Sequence, residues 1–345
     1  MSGSSRQLPS LRDFRSALIV KPSSLGDIVH TLPAVKALRD AHPQLKIRWL
    51  ANTEWTPILQ GSPLLDEVLS FPRKTFRGLA GLLRFWNWRR TWMTLPREEP
   101  EIVLDFQGLL RSGLVSTWRG SKSVIGLSDA REGSRFFYNH VVPVDAGAHA
   151  VDRYLEMPRA LGIRIEPEDV AFELTPGTAP AGWPDSLTGF IAVHPWSRGE
   201  GKSLSNSALQ ALCDALAPHP VVLVGMTADA TRPTGGHIHD WSNRTSLPEL
   251  IWLMRRAQFC VSVDSGPMHI AAAVNPQTLG IHTWSDPRKV GPYPVAVHVW
   301  KAGRIASRAE FSAEECQRDA CVQDQDARDM GEWVVRRLTF LPQRP

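Results

Sequence analysis

The chain has 345 residues, 43% of them hydrophobic and 21% charged, which is enough material for two globular domains of ordinary size. Its net charge of +4 is too mild to identify a partner by itself. Cys213, Cys260, Cys316 and Cys321 form no Cys-x-x-Cys pair and no zinc spacing, the polar first fifteen residues hold no signal-peptide core, and no apolar run reaches a membrane span; the reading is a soluble, cytosolic chain with reduced thiols.

Ala17 to Val20 is a short apolar run bounded by turn signals, as expected of a buried strand. Pro22, Ser23, Ser24 and Gly26 then supply turn chemistry, and from Asp27 onward Ile28, Leu32, Val35 and Leu38 recur at helical spacing. A strand, a glycine turn and a helix open a doubly wound α/β domain, in which ligands bind at the carboxyl ends of strands. Asp27 stands at that end. By position it is either a reactive group or a first-turn acid favoured by the helix dipole. Ile47 to Ala51 reads as a second strand and Val68 to Phe71 as part of a third.

Between Val68 and Arg97 lie Arg73, Lys74, Arg77, Arg84, Arg89, Arg90 and Arg97, with no acidic residue. Phe76, Phe85, Trp86, Trp88 and Trp92 are interleaved with them. On a helix Phe85, Trp88 and Trp92 share one face that Arg89 flanks, the pattern with which an interfacial helix meets anionic headgroups. The same spacing also fits a core-facing aromatic stripe with a solvated basic side. No nucleic-acid-binding motif accompanies the patch.

Glu101 to Asp105 is another buried-strand run, with Asp105 and Gln107 at its carboxyl end and a helical stretch from Leu109 to Trp118. Arg131 and His149 fall in loops or helix starts before a helix from Ala150 to Leu161, which Gly162 closes. Prolines and glycines then punctuate residues 166–184 as in an interdomain linker, which sets domains at 1–180 and 181–345. The second half restarts the alternation. Strands are expected at Gly189 to His194, Val221 to Gly225, Phe259 to Val263 and Gln277 to His282, with helices at Leu209 to Leu216 and Leu247 to Arg256. A last helix near 328–340 is open to packing back on the first domain. Two doubly wound Rossmann-like domains of class α/β, facing across a cleft, are the expected architecture.

In the second half, Val261 to Ala273 (VSVDSGPMHIAAA) carries a strand into Asp264-Ser265-Gly266-Pro267 and a helix start, a ready anion site suited to a diphosphate, with His269 one turn on. An ordinary capped helix accounts for the cap but not for His269. Ser197 and Lys202 lie in the loop after the preceding strand, where a lysine is either a phosphate contact or a solvated loop residue. Walker A, Gly-x-Gly-x-x-Gly, His-Glu-x-x-His and Gly-x-Ser-x-Gly patterns are all absent from the sequence.

SSLGDIVHTLP at 23–33, DFQGLLRSGL at 105–114, AREGSRFFYNH at 130–140, HAVDRYL at 149–155, VSVDSGPMHIAAA at 261–273 and SDPRKVGPY at 285–293 together resemble the lipopolysaccharide heptosyltransferases of glycosyltransferase family 9. The resemblance runs in order from about residue 17 to about 295 and is greatest to the heptosyltransferase I branch. It implies a GT-B fold with an N-terminal acceptor domain, a C-terminal domain for ADP-heptose, and inverting transfer that needs no metal or cofactor. It implies a Kdo-lipid A-like acceptor at the cytoplasmic face of the inner membrane, with peripheral membrane contact and no nucleic acid. Asp27 then matches the catalytic base and Lys202 the lysine that holds the donor phosphates. Ser197, Asp229, Asp264, Ser265, Gly266 and His269 match donor-binding positions. Ser24, Gly26, Arg131 and His149 fall to the acceptor, as do Arg84 and Arg89 of the basic segment.

Three departures stand out. Lys202-Ser203-Leu204 replaces an aromatic-containing Lys-x-Trp pattern, Trp284 replaces a small residue in the loop near the nucleotide, and residues 303–328 match poorly. They leave room for a family member with another nucleotide sugar. A binding protein that kept the fold without turnover and a GT-B-like sugar epimerase are the other readings.

Overall fold

The computed structural model describes residues 8–96, 98–118, 120–294 and 297–339; Arg97 of the basic segment and Phe340 of the expected last helix lie outside them. The chain divides into two compact units, Met1–Glu173 and Leu174–Pro345.

The first unit runs β1 (Ser16–Val20), α1 (Leu25–Ala41), β2 (Lys46–Asn52), α2 (Thr56–Leu59), β3 (Glu67–Phe71), α3 (Leu79–Thr94), β4 (Glu101–Asp105), α4 (Leu110–Thr117), β5 (Ser123–Leu127), β6 (His140–Val142) and α5 (Ala150–Ala160). Its strands form one parallel sheet in the order β3-β2-β1-β4-β5-β6. All five residues of β1 are buried, which explains why it reads as an unbroken apolar run and not as an alternation. Near the amino ends of the strands, Arg48 and Glu101 form a buried ion pair, and Arg48 Nη1 donates to Pro96 O at 2.6 Å.

The second unit runs β7 (Ile191–His194), α6 (Asn206–Leu216), β8 (Val221–Leu223), β9 (Ile238–Asp240), α7 (Leu247–Arg256), β10 (Phe259–Val263), α8 (Gly266–Val274), β11 (Thr278–His282), α9 (Pro287–Val290), β12 (His298–Lys301), β13 (Arg304–Ser307), α10 (Ala313–Gln317) and α11 (Asp324–Leu338). The sheet order β13-β12-β11-β10-β7-β8-β9 repeats the first unit's order, with β13 added as an antiparallel edge. Each sheet therefore reverses its strand order once, between β1 and β4 and between β7 and β10. Those reversals are where such folds take ligands.

Two expectations change here. The proline-rich stretch read as a linker packs on α7: Thr178 N donates to Pro248 O at 3.2 Å, and the Trp183 ring meets Trp241 and Trp252. A Cβ on Gly177, at φ +79°, would lie 2.4 Å from Pro248 O, so the strap needs glycine there. The last helix does not need the first domain for its apolar side. Ala327, Met330 and Val334 of α11 enter the second unit's own core with Leu212 and Leu216 of α6, and Gly331 lets the two helices approach.

Candidate functional site

In the first unit the chain leaves β1 at Lys21, turns through Pro22–Ser24 and enters α1. Asp27 is the third residue of that helix and completes a capping box: its Oδ2 accepts from Ser24 N at 3.0 Å and from Ser24 Oγ at 2.7 Å. The other oxygen, Oδ1, accepts from the Tyr154 hydroxyl at 3.2 Å and lies 3.9 Å from Lys21 Nζ. Asp27 is thus both cap and open carboxylate, since its side chain keeps 38% of its exposure. Burial pushes its pKa up, but the Lys21 ammonium, the Ser24 donors and the Tyr154 hydroxyl outweigh that and hold it below the ordinary carboxylate range.

Lys21 is itself buried and donates to Tyr154 Oη at 2.8 Å and Phe106 O at 3.0 Å. Burial lowers its pKa, with Asp27 and Asp105 opposing. Asp105, the last residue of β4, accepts from Gln107 N, Gly108 N, Ser112 Oγ and Tyr138 Oη at 2.8–3.1 Å. Even so, burial leaves its pKa raised. Asp105 thereby fixes the loop after β4. Lys21, Asp27, Asp105, Asp129, Arg131 and Arg153 surround a cavity of about 370 Å³, with Arg153 ion-paired to Asp129.

The other residues expected on this side fall as follows. Ser24 is the exposed cap and Gly26 is buried in the first turn. Arg131 is exposed on the cavity wall, its N–H bound to Gly108 O at 2.7 Å. His149 is buried as the N-cap of α5, its Nδ1 accepting from Val151 N at 3.1 Å, and is not among the cavity-lining residues. On α3, Phe85, Trp88 and Trp92 turn inward, which decides the aromatic stripe in favour of the core. Trp92 is fully buried, and Trp88 stacks on it and meets Phe71 of β3. Arg89 lies over the Trp86 and Trp118 rings, while Arg84 is exposed. Neither lines the cavity.

In the second unit Asp264 follows β10 and is buried. Its Oδ2 accepts from Lys202 Nζ at 2.5 Å and from Ser285 Oγ at 2.6 Å, and His282 Nδ1 stands 2.9 Å from Ser285 Oγ. Burial would raise the Asp264 pKa; His282, Lys202 and His269 hold it down to about 2. The Lys202 ammonium also sits 4.3 Å over the Trp284 ring, and Trp284 Nε1 donates to Glu200 O at 3.3 Å. Ser265 caps α8 from outside its first turn, where Gly266 and the buried His269 follow. Its Oγ lies 3.3 Å from Nδ1 of the buried His194, which burial keeps neutral by lowering its pKa to about 4. Ser197 shapes the Lys202 loop: its Oγ accepts from Gly199 N at 3.2 Å, and its N–H donates to Ser203 Oγ at 2.9 Å. Asp229 lies in the exposed loop after β8 and accepts from Thr231 N and Asn206 Nδ2. Its pKa is lowered, the Thr231 N–H being the main cause.

Lys21, Tyr154, His194, His282 and Ser285 were not singled out from sequence. Lys21 and His194 each stand at the end of an apolar strand, which is a usable signal. Tyr154 and Ser285 lie inside the HAVDRYL and SDPRKVGPY segments, but only folding brings them and His282 to their partners.

The sequence model described as Glycosyltransferase family 9 (heptosyltransferase) matches residues 88–320. Lipopolysaccharide heptosyltransferase 1 of Pseudomonas aeruginosa is 27% identical over 332 residues, covering 88% of this chain and 86% of the relative. Among solved structures, E. coli heptosyltransferase WaaC with ADP-2-deoxy-2-fluoro heptose is similar at a TM-score of 0.67 and 20% identity, covering 80% of this chain and 95% of that one. E. coli ADP-heptose lps heptosyltransferase II is similar at a TM-score of 0.67 and 20% identity, covering 94% and 98%. These likenesses agree with the α/β, GT-B architecture.

Proposed function

Because the chain belongs to glycosyltransferase family 9, we propose that it moves heptose from ADP-L-glycero-D-manno-heptose to the Kdo region of a lipopolysaccharide precursor, with inversion and without a metal or cofactor. The place of action in this reading is the cytoplasmic face of the inner membrane, with no role for nucleic acid. The observation that carries the reading is the Asp27 carboxylate, kept ionised and held by Ser24, Tyr154 and Lys21 at the edge of a cavity that also presents Arg131.

Asp27 takes the proton of the acceptor hydroxyl as that oxygen attacks the anomeric carbon. The carbon–oxygen bond to the diphosphate breaks on the opposite face, which inverts the centre, and the electron pair leaves with the diphosphate. Lys202 neutralises that charge, aided by Ser265, Gly266 and the first-turn N–H groups of α8. Asp264 and His269 keep this end ordered, Ser197 shapes the lysine loop, and Asp229 serves the ribose. Arg131 suits an acidic sugar through charge-assisted hydrogen bonds. The solved relative that holds an ADP-heptose analogue supports the donor, and the name of the Pseudomonas relative supports the lipopolysaccharide acceptor.

One observation favours a different nucleotide sugar: the half-exposed Trp284 indole lies over Lys202 where a small residue was expected. Transfer assays with ADP-heptose, UDP-sugars and GDP-sugars on a Kdo-lipid A acceptor, read by product mass, separate the two. A heptose increment from ADP-heptose alone is expected. Product from another nucleotide sugar alone overturns the donor, and no product from any of them overturns transfer.

A further inference from the structure

The helix α3 has two apolar sides, and the fold uses only one. Gly81, Phe85, Trp88 and Trp92, at i, i+4, i+7 and i+11, face the first unit's core. Leu82, Trp86 and Met93 recur at i, i+4 and i+11 on another side, with Leu83 and Arg90 at the same face. Here the side chains point outward: Leu82 is 58% exposed, Leu83 69%, Trp86 52% and Met93 46%. Scattered exposed apolar residues are ordinary, but four large ones on one helix face mark a surface that something covers.

The charge around this face says what covers it. No acidic residue occurs from Val68 to Arg97, while Arg73, Lys74, Arg77, Arg84, Arg89 and Arg90 do. Among the described residues neither Arg84 nor Arg90 pairs with a carboxylate, and Arg89 flanks the face with its guanidinium over Trp86. A protein partner of such a face would need its own dense acidic rim. An anionic bilayer offers that charge together with an apolar layer just beneath, and tryptophan favours that boundary. Among the described residues no helix is long and apolar enough to cross a membrane, so the contact proposed is with the surface.

We propose that the outer face of α3, through Leu82, Leu83, Trp86 and Met93 with Arg90, docks the protein on anionic phospholipid. The inference is independent of the transfer reading, because lipid binding is measured without donor or acceptor. The full chain is sedimented with phosphatidylcholine vesicles and with vesicles that also contain phosphatidylglycerol. Binding to the second kind alone, weakened by salt, is expected. Leu83→Ser with Trp86→Ser should weaken it at least about tenfold, since two large apolar side chains no longer enter the lipid. Arg90→Ser should weaken it about fivefold, at roughly 1 kcal/mol per basic residue near the surface. All these side chains are exposed, and an unchanged melting curve checks the fold. Equal binding by the double variant, or no preference for phosphatidylglycerol, overturns the proposal. A dimer that the double variant dissolves overturns it in favour of a second copy of the chain. Binding only to vesicles carrying the Kdo-lipid A glycolipid overturns it in favour of an acceptor contact.

Discussion

Tyr154 and Asp27 are 127 positions apart in the chain, yet the Tyr154 hydroxyl donates to Asp27 Oδ1 at 3.2 Å while accepting from Lys21 Nζ at 2.8 Å. The direction of these bonds matters. With its lone pair turned to Lys21, the phenol can only donate to the carboxylate, so it stabilises the ionised form of Asp27. Tyr154→Phe removes that donor, and the Asp27 pKa should rise. The acid limb of the pH profile for transfer should then move to higher pH, with stability falling by about 1–3 kcal/mol because buried Lys21 loses an acceptor. A profile superimposable on the wild type would show that the phenol serves packing alone.

For Asp27→Asn the expected outcome is loss of transfer by about 10²–10⁴-fold, the range of a general base. Nucleotide affinity, measured by calorimetry with ADP, should stay within about twofold. The amide oxygen can still accept from Ser24, so the helix cap survives, while buried Lys21 loses its nearest counter-charge and the melting temperature should fall. Unchanged transfer would remove Asp27 from the mechanism.

Lys202→Met tests the other half. It takes from the diphosphate a charge-assisted contact of about 1.5–3 kcal/mol, so ADP should bind roughly 10–100-fold more weakly. It also removes from buried Asp264 one of the charges that hold its pKa down to about 2. In the folded wild type that carboxyl sits below its ordinary value of ~3.9, so its stabilising contribution is full above about pH 5 and fades as pH falls toward 2. In the variant that contribution should be smaller, and its fade should end at a higher pH. Acid unfolding of both proteins, followed by fluorescence, reads the shift.

The Arg48–Glu101 pair predicts a contrast within the scaffold. Arg48→Met alone takes the guanidinium from the buried Glu101 carboxylate and should cost about 3–5 kcal/mol in urea unfolding. Arg48→Met with Glu101→Leu removes both charges and should recover most of that loss. Arg48 Nε already lacks a partner, which lowers what the pair contributes. ADP affinity should be unaffected in either variant.

Much of the fold is legible because the buried parallel strands are apolar runs closed by turn residues; β4 and β10 match their expected bounds residue for residue. The strands that escape are short, half-polar edges such as Ile238–Asp240 and Arg304–Ser307, where neither run nor alternation develops. Asp27 and the Asp264 turn are legible because turn, cap and chemistry are contiguous. The Lys21–Tyr154 support is not, since its parts come from separate helices and loops. On α3 the aromatic spacing is real but points inward, and only the fold reveals which apolar side remains outside.

The Lys202 ammonium is held by Asp264 on one side and the Trp284 indole on the other. An arriving anion is therefore compared with a carboxylate already in place, not with water. A lone inorganic phosphate replaces one charged contact by another and gains little from the exchange. A ligand that brings base, ribose and diphosphate together can offset the lost carboxylate through its other contacts. The pairing thus works as a selectivity threshold against simple anions.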